Sequence, residues 1–303
     1  MLDLPPLLIG VLAAMSCALP GNFLLLRRQA LIGDAISHAA LPGIVVAFLL
    51  SGTVSTLPMM LGALAAALVA VGLIEAIRRL GRIEAGAAMG VVFTSMFAAG
   101  VLALEVSDTS SVHLDVEHAL YGNLESLIWL DGAAGWPALA DRRALAGLPD
   151  ELPRLAVVAA ALAAATVLCW RPLVISTFDE GYARARGVPV AALGLGLAAA
   201  AAAAAVAAFD AVGSIIVIAM FVCPPAAARL MTDDLPRQVA LSLLFAALSA
   251  VLGFVLAGWG PLWLGYRNAV SAAGMIAAVS GLILALACRF GPRRLRVGAP
   301  EDA

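Results

Sequence analysis

Apolar side chains recur along this sequence in nine long runs, at about 4–26, 35–51, 57–77, 86–104, 154–170, 188–209, 211–228, 236–258 and 269–288. The charged residues gather in the short stretches between them. A helix needs roughly 20 apolar residues to cross about 30 Å of hydrocarbon, and a soluble core has no use for so many runs of that length. The pattern predicts an all-α polytopic membrane protein with about nine transmembrane helices; eight to ten fit it. Two places blur the count. The run at 211–228 follows its predecessor after one polar residue, Asp210, and ends in Cys-Pro-Pro. It reads as a broken or re-entrant element, which lipid tolerates only inside a bundle. The half-length stretch 119–136 (ALYGNLESLIWLDGAAGW) reads as a helix lying at the outer interface. The Ala-rich stretch 192–208 is expected to be a packed central helix, since small side chains let backbones approach where lipid gives no hydrophobic force.

The first run is too long for a signal-peptide core and carries Asp3 in place of a basic leader, so it is expected to be the first span, retained in the mature protein. The whole chain, 1–303, reads as one transmembrane domain with a polar outer excursion at about 105–153, expected to form loops and short helices.

Composition sharpens this picture. The 303 residues are 63% hydrophobic and 13% charged, with a mean hydropathy of +1.02, whereas soluble domains are about a quarter charged. All 18 basic residues are arginine. Without a lysine, a G-x-x-x-x-G-K-[ST] phosphate loop cannot form, so any ATP hydrolysis belongs to another polypeptide. With the N-terminus outside and nine crossings, fourteen arginines fall inside and four (Arg142, Arg143, Arg154, Arg267) outside, the bias expected of an inner-membrane protein. A net charge of −2 gives no sign of a nucleic-acid partner. Cys17, Cys169, Cys223 and Cys288 are scattered without C-x-x-C spacing, which argues for buried small hydrophobes over a disulfide framework or structural zinc.

Chemistry can sit in few places. Of three histidines, His38 follows Asp34 by four residues in LIGDAISHAALPG. Positions i and i+4 share a helix face, so carboxylate and imidazole could reach one cation. That ligand pair suits Mn(II), Zn(II) or Fe(II). One pair supplies two ligands, and two copies of the chain across a symmetry axis would supply four. The same spacing also fits a structural hydrogen bond or a polar cap at the mouth of the second span. A second cluster, His113, Asp115, Glu117 and His118, falls on the outer side, where it could pass metal inward, contact a delivery protein, or be an ordinary solvated loop. The inner-face stretch 176–190 (STFDEGYARARGVPV) predicts a short amphipathic helix with Asp179 and Glu180 at its start and Gly187 and Pro189 at its close. It reads as an ordinary cytoplasmic loop or as a docking element for a motor subunit.

At these residues the sequence resembles the manganese/zinc/iron permeases of ATP-binding-cassette importers. The resemblance is carried by GNFLLLRRQALIGDAISHAALPGIVVAFLL (21–50), DVEHALYGN (115–123), TFDEGYARARGVPV (177–190) and AVGSIIVIAMFVCPPAAARLMTDD (211–234), in that order. It implies a fold like the vitamin B12 importer type, called type II, with two membrane subunits, two cytoplasmic ATPases and an external metal-binding protein. It implies metal coordination by Asp34 and His38, and ATPase coupling through Phe178, Asp179, Glu180, Ala183, Arg184, Arg186 and Gly187. Cys-Pro-Pro at 223–225, where the family tends to carry an aliphatic residue before Pro-Ala, and the length of 131–153 depart from its pattern.

The reading is a non-catalytic permease that moves a divalent transition metal across the inner membrane, holds no permanent cofactor, and works with a second copy or a paralogue. The rival is a secondary transporter driven by protons or sodium; such folds often repeat a broken helix in both halves, and no repeat stands out here. An intramembrane metalloprotease would need a motif such as H-E-x-x-H, and no histidine is followed by glutamate.

Overall fold

A computed structural model describes residues 3–51, 56–106, 124–127, 129, 147–263, 265 and 270–292. Among them the chain forms ten α-helices and no strand. They are α1 (Leu4–Leu26), α2 (Ile32–Ser51), α3 (Thr56–Gly81), α4 (Ala85–Val106), α5 (Glu151–Leu168), α6 (Trp170–Phe178), α7 (Glu180–Ala185), α8 (Val190–Met231), α9 (Leu235–Trp263) and α10 (Ala272–Phe290). Nine stretches within these helices are long and apolar enough to cross a membrane.

α8 contributes two of the nine, Val190–Phe209 and Ala211–Met231. Its backbone breaks at Gly213 (φ 76°, ψ 171°), a region open essentially to glycine alone. Two contacts show how its limbs run. A Cβ on Gly194 would lie 3.6 Å from Arg27 Nη1, whereas a Cβ on Gly21 would lie 3.1 Å from Pro225 Cγ. Gly21 and Arg27 are about 9 Å apart along α1, but a straight helix from 194 to 225 would measure about 46 Å. The limbs therefore fold back on each other as a hairpin. The broken element expected at 211–228 is a full crossing, with its break at Gly213 near the start of the segment instead of at Cys-Pro-Pro; the helix continues through Pro224 and Pro225 to Met231.

α1 and α8 form the centre of the bundle. In the spanning part of α1, 72% of residues are buried, against 11% in α5 and 22% in α4, where Val91, Leu102, Val157, Val167 and Leu168 face outward. The centre is built largely from alanine, with Ala201, Ala202, Ala204, Ala205 and Ala208 all at 1% exposure or less. The larger polar side chains there are paired, as burial in lipid requires, whereas Ser16 Oγ of α1 is buried without a partner among the described residues. Asn22 Nδ2 donates to Ala18 O (2.8 Å) and Ser242 Oγ (3.1 Å), and Gln238 Nε2 donates to Asn22 Oδ1 (3.3 Å).

The outer excursion is described only in small part. Leu124–Ser126 form a single 3₁₀ turn. Leu124 and Trp129 are buried, with Leu124 packed beside Gly10 of α1. At these positions the segment is tucked into the bundle, so the surface-lying helix expected over 119–136 does not hold for them: two large apolar side chains gain more by filling the gap between α1 and α10 than by facing headgroups. His113, Asp115, Glu117 and His118 lie outside the described residues.

Candidate metal site

The α1–α2 link carries Arg27 and Arg28, and α2 then runs back along the bundle from Ile32. Asp34 sits in the first turn of α2, where the helix dipole favours a carboxylate. His38 lies one turn further on. The structure brings the two together, with His38 Nε2 3.3 Å from Asp34 Oδ1 and side chains 21% and 34% exposed. At about 1.5 Å rise per residue, the pair lies in the first third of α2. No third His, Cys, Asp or Glu joins them among the described residues.

Packing around the pair is tight on two sides. The α2–α3 crossing is glycine on glycine: a Cβ on Gly43 would run into the carbonyl oxygen of Gly62, and one on Gly62 into that of Gly43. On the other side the Pro42 ring meets Gly100 of α4, where a Cβ would stand 2.9 Å from Pro42 N and Cδ. Pro42 is four residues after His38 and has no N–H, so the His38 carbonyl lacks its intrahelical donor. A backbone oxygen without its helical donor is thereby left one turn before Pro42, an irregularity of the kind found in transport proteins.

A cavity of about 1220 Å³ opens at the N-terminal end of α2, where Ile32 lines it; Asp34 and His38 are not among its lining residues. Arg27, Arg28, Glu75, Arg78, Glu180 and Arg184 line it, along with the first residues of α2 and α8. Arg78 is paired with Glu75 (3.0 Å) and Arg184 with Glu180 (2.9 Å).

The wall formed by α6 and α7 is the segment expected to couple to a motor. Asp179 caps α7, its Oδ1 accepting from Tyr182 N–H at 2.8 Å. Gly187 takes φ 75° just after the helix, and Pro189 precedes α8. Ala183 is buried, while Phe178 and Tyr182 are 56% and 52% exposed. Two aromatic side chains on either side of the extended Asp179 are thus exposed, with Arg186 placed 5.9 Å from the Tyr182 ring centroid.

Sequence reasoning missed Arg27, which ties this wall to α1. Its Nη2 donates to Ser176 Oγ (2.8 Å) and its Nε to Thr177 Oγ1 (3.1 Å). Both hydroxyls in turn donate to the Leu173 carbonyl. Burial pushes the guanidinium pKa down and the Glu180 carboxylate opposes the shift; arginine remains charged. The only signal in the sequence was an Arg pair at a helix end, which the positive-inside rule already accounted for. Tyr182, Phe93 and Phe97 were also missed, although Phe93 and Phe97 stand at helical spacing in an apolar run.

Known proteins share this architecture. The chain is 38% identical over 283 residues to the manganese transport system membrane protein MntD of Bacillus subtilis, covering 93% of this chain and 90% of that one. It is 35% identical to the zinc transport system membrane protein TroD of Treponema pallidum, covering 94% and 73%. Among solved structures it resembles PsaBC from Streptococcus pneumoniae in complex with Fab, with a TM-score of 0.75, 26% identity, and coverage of 97% and 94%. The family model described as the ABC 3 transport family matches residues 4–129 and 145–290, and to that family this multi-pass membrane protein belongs.

Proposed function

We propose that the chain is the membrane-spanning permease subunit of an ATP-driven importer, and that it carries a divalent transition metal, Mn(II), Zn(II) or Fe(II), past Asp34 and His38. The observation that carries the reading is the pairing of a carboxylate and an imidazole at 3.3 Å inside a span, on the helix whose first residue, Ile32, lines a cavity that also carries Arg27, Arg28, Arg78 and Arg184. Ionisable groups at that depth are costly and mark ion paths by default. The relatives whose names specify manganese and zinc agree with the ligand chemistry, since carboxylate oxygen and imidazole nitrogen accept both.

The chain acts as one permease unit, 1–303, beside a second copy or a paralogue that supplies further ligands. An external binding protein delivers the metal. Two ATPase subunits serve the permease pair, one on each copy, docking at Phe178, Asp179, Glu180, Ala183, Arg184, Arg186 and Gly187, where all but the buried Ala183 are exposed and fit a protein contact. His113, Asp115, Glu117 and His118 are candidates for receiving metal on the outer side. A conduit must release what it binds, so a site of moderate affinity with few ligands per subunit is suited to the task.

Metal accumulation in cells tests this, with every candidate metal measured by mass spectrometry. Asp34→Ala and His38→Ala should each reduce uptake of the transported metal to background. Wild-type accumulation of all metals in both variants would sink the site. Uptake that survives loss of the ATPase would favour an ion-coupled secondary transporter.

A further inference from the structure

The imidazole of His38 has neighbours beyond Asp34. Phe93 and Phe97 of α4 lie with ring centroids 4.7 Å and 5.4 Å from it, tilted by 51° and 84°. They are one turn apart, and Gly100, which receives Pro42, is three residues further on. α4 therefore sets the stripe Phe93, Phe97, Gly100 against the stripe Asp34, His38, Pro42 on α2. Both phenylalanines are half-buried instead of sealed in the core, so filling volume is not their sole effect.

A histidine on a bare helix face samples several rotamers, and a metal must freeze one of them. Two rings packed against the imidazole, one edge-on, restrict its plane before any ion arrives. They also keep water from that flank, so an approaching cation and the Asp34 carboxylate attract each other through a less polar medium. An apolar shell of this kind controls solvent access and the strength of the ligands it surrounds.

We propose that Phe93 and Phe97 are positioning residues for metal capture: they hold His38 in its ligating orientation beside Asp34 and keep that side of the pair dry. The proposal rests on the reading of Asp34 and His38 as ligands. Neither ring meets the ion; both act through the imidazole.

The test uses the purified permease–ATPase complex without the external binding protein, whose own affinity would otherwise set half-saturation. Mn(II) is titrated and followed by electron paramagnetic resonance, and Zn(II) is titrated in competition. Phe93→Leu/Phe97→Leu should weaken Mn(II) binding by about tenfold or more, the scale typical of residues that support metal ligands. Phe97→Tyr should restore wild-type affinity, and the thermal unfolding midpoint should stay close to wild type. In a His38→Ala background the same double change should weaken the residual binding no further. If the double variant is poorly produced, Phe97→Leu alone decides, with an expected loss of a few-fold. Unchanged affinity in the Leu variants, or an equal additional loss in the His38→Ala background, would overturn the proposal. These outcomes are separable from failure of the site itself: wild-type Mn(II) and Zn(II) binding in both Asp34→Ala and His38→Ala removes the ligands, whereas loss there with intact Phe variants removes only the aromatic clamp.

Discussion

The coupling wall of α6 and α7 lines a cavity that α2 meets only at Ile32, and it and the metal pair further along α2 are held in place by different forces. Around Asp34 and His38 the described contacts are mostly steric. Backbones touch at Gly43 and Gly62, a proline ring sits on Gly100, and two phenylalanines pack on an imidazole. The coupling wall is the reverse, a chain of directed polar contacts: Arg27 on two hydroxyls, Asp179 on a backbone amide, Glu180 with Arg184. In lipid there is no hydrophobic force to press helices together, so close approach of small residues does that work. At the aqueous face water competes for every contact, and only directed or charge-assisted bonds fix a short helix. The site is thus rigid because it is crowded, and the wall because it is tethered.

Overcrowding should break the first and spare the second. In Gly43→Val the new side chain meets the Gly62 backbone, which cannot swing aside as a side chain could. Inserting even single methylenes into a filled interior costs about 1–3 kcal/mol, and this change adds three carbons at a backbone crossing. The expected result is the largest stability loss of the set, seen as a lowered unfolding midpoint in detergent or failure to accumulate in membranes. A normal midpoint would mean that α2 and α3 do not cross where the structure has them.

Cutting the tether should do the opposite. Arg27→Ala leaves the hydroxyls of Ser176 and Thr177 without their charged donor at a half-buried position. Hydrogen bonds to charged groups contribute about 1.5–3 kcal/mol, and partial exposure places this one toward the lower end. Metal uptake is expected to fall about tenfold, while Mn(II) affinity of the permease–ATPase complex stays at the wild-type value. Loss of affinity along with uptake would show that the wall and the site are one mechanical unit.

This contrast also explains how far the sequence could be read. Nine crossings followed from length and hydropathy, because a bilayer imposes a span that any chain must match. The cap at Asp179 and the stop at Gly187 and Pro189 were legible because capping is local, decided within four or five residues. Asp34 and His38 were legible as a pair for the same reason. The α4 stripe was not, since nothing within 50 residues of His38 says that Phe93 and Phe97 will face it; that depends on the parallel course of α2 and α4. The hairpin in α8 was half legible. Asp210 hinted at an interruption, but among several glycines only the fold shows that Gly213 takes the left-handed backbone, and Pro224 and Pro225 drew attention to the wrong place.

A smaller effect should follow from removing the cap. Asp179→Ala deletes the acceptor for the Tyr182 amide in a helix of only 6 residues, which has little else to start it. Such a loss costs about 1 kcal/mol. Because α7 is exposed, the cost should appear as local fraying, with faster amide exchange at residues 180–185 and an unfolding midpoint within a degree or two of wild type. Uptake is expected to fall by a few-fold, less than for Arg27→Ala.

The smallest effect on stability belongs to Arg184→Gln, and it is the most informative about what lies outside the chain. Arg184 and Glu180 are 69% and 58% exposed, and exposed pairs of this spacing contribute about 0.3–0.5 kcal/mol, much of it screened by salt. Within this chain, then, the guanidinium has almost nothing to hold, and the unfolding midpoint should not move measurably. If the coupling wall meets an ATPase, the same charge is desolvated at that contact and its removal is felt there: the complex should dissociate at lower salt and uptake should drop while Mn(II) affinity is preserved. An Arg184→Gln variant with wild-type uptake and a wild-type salt profile would show that the exposed face of α7 is not where the motor docks.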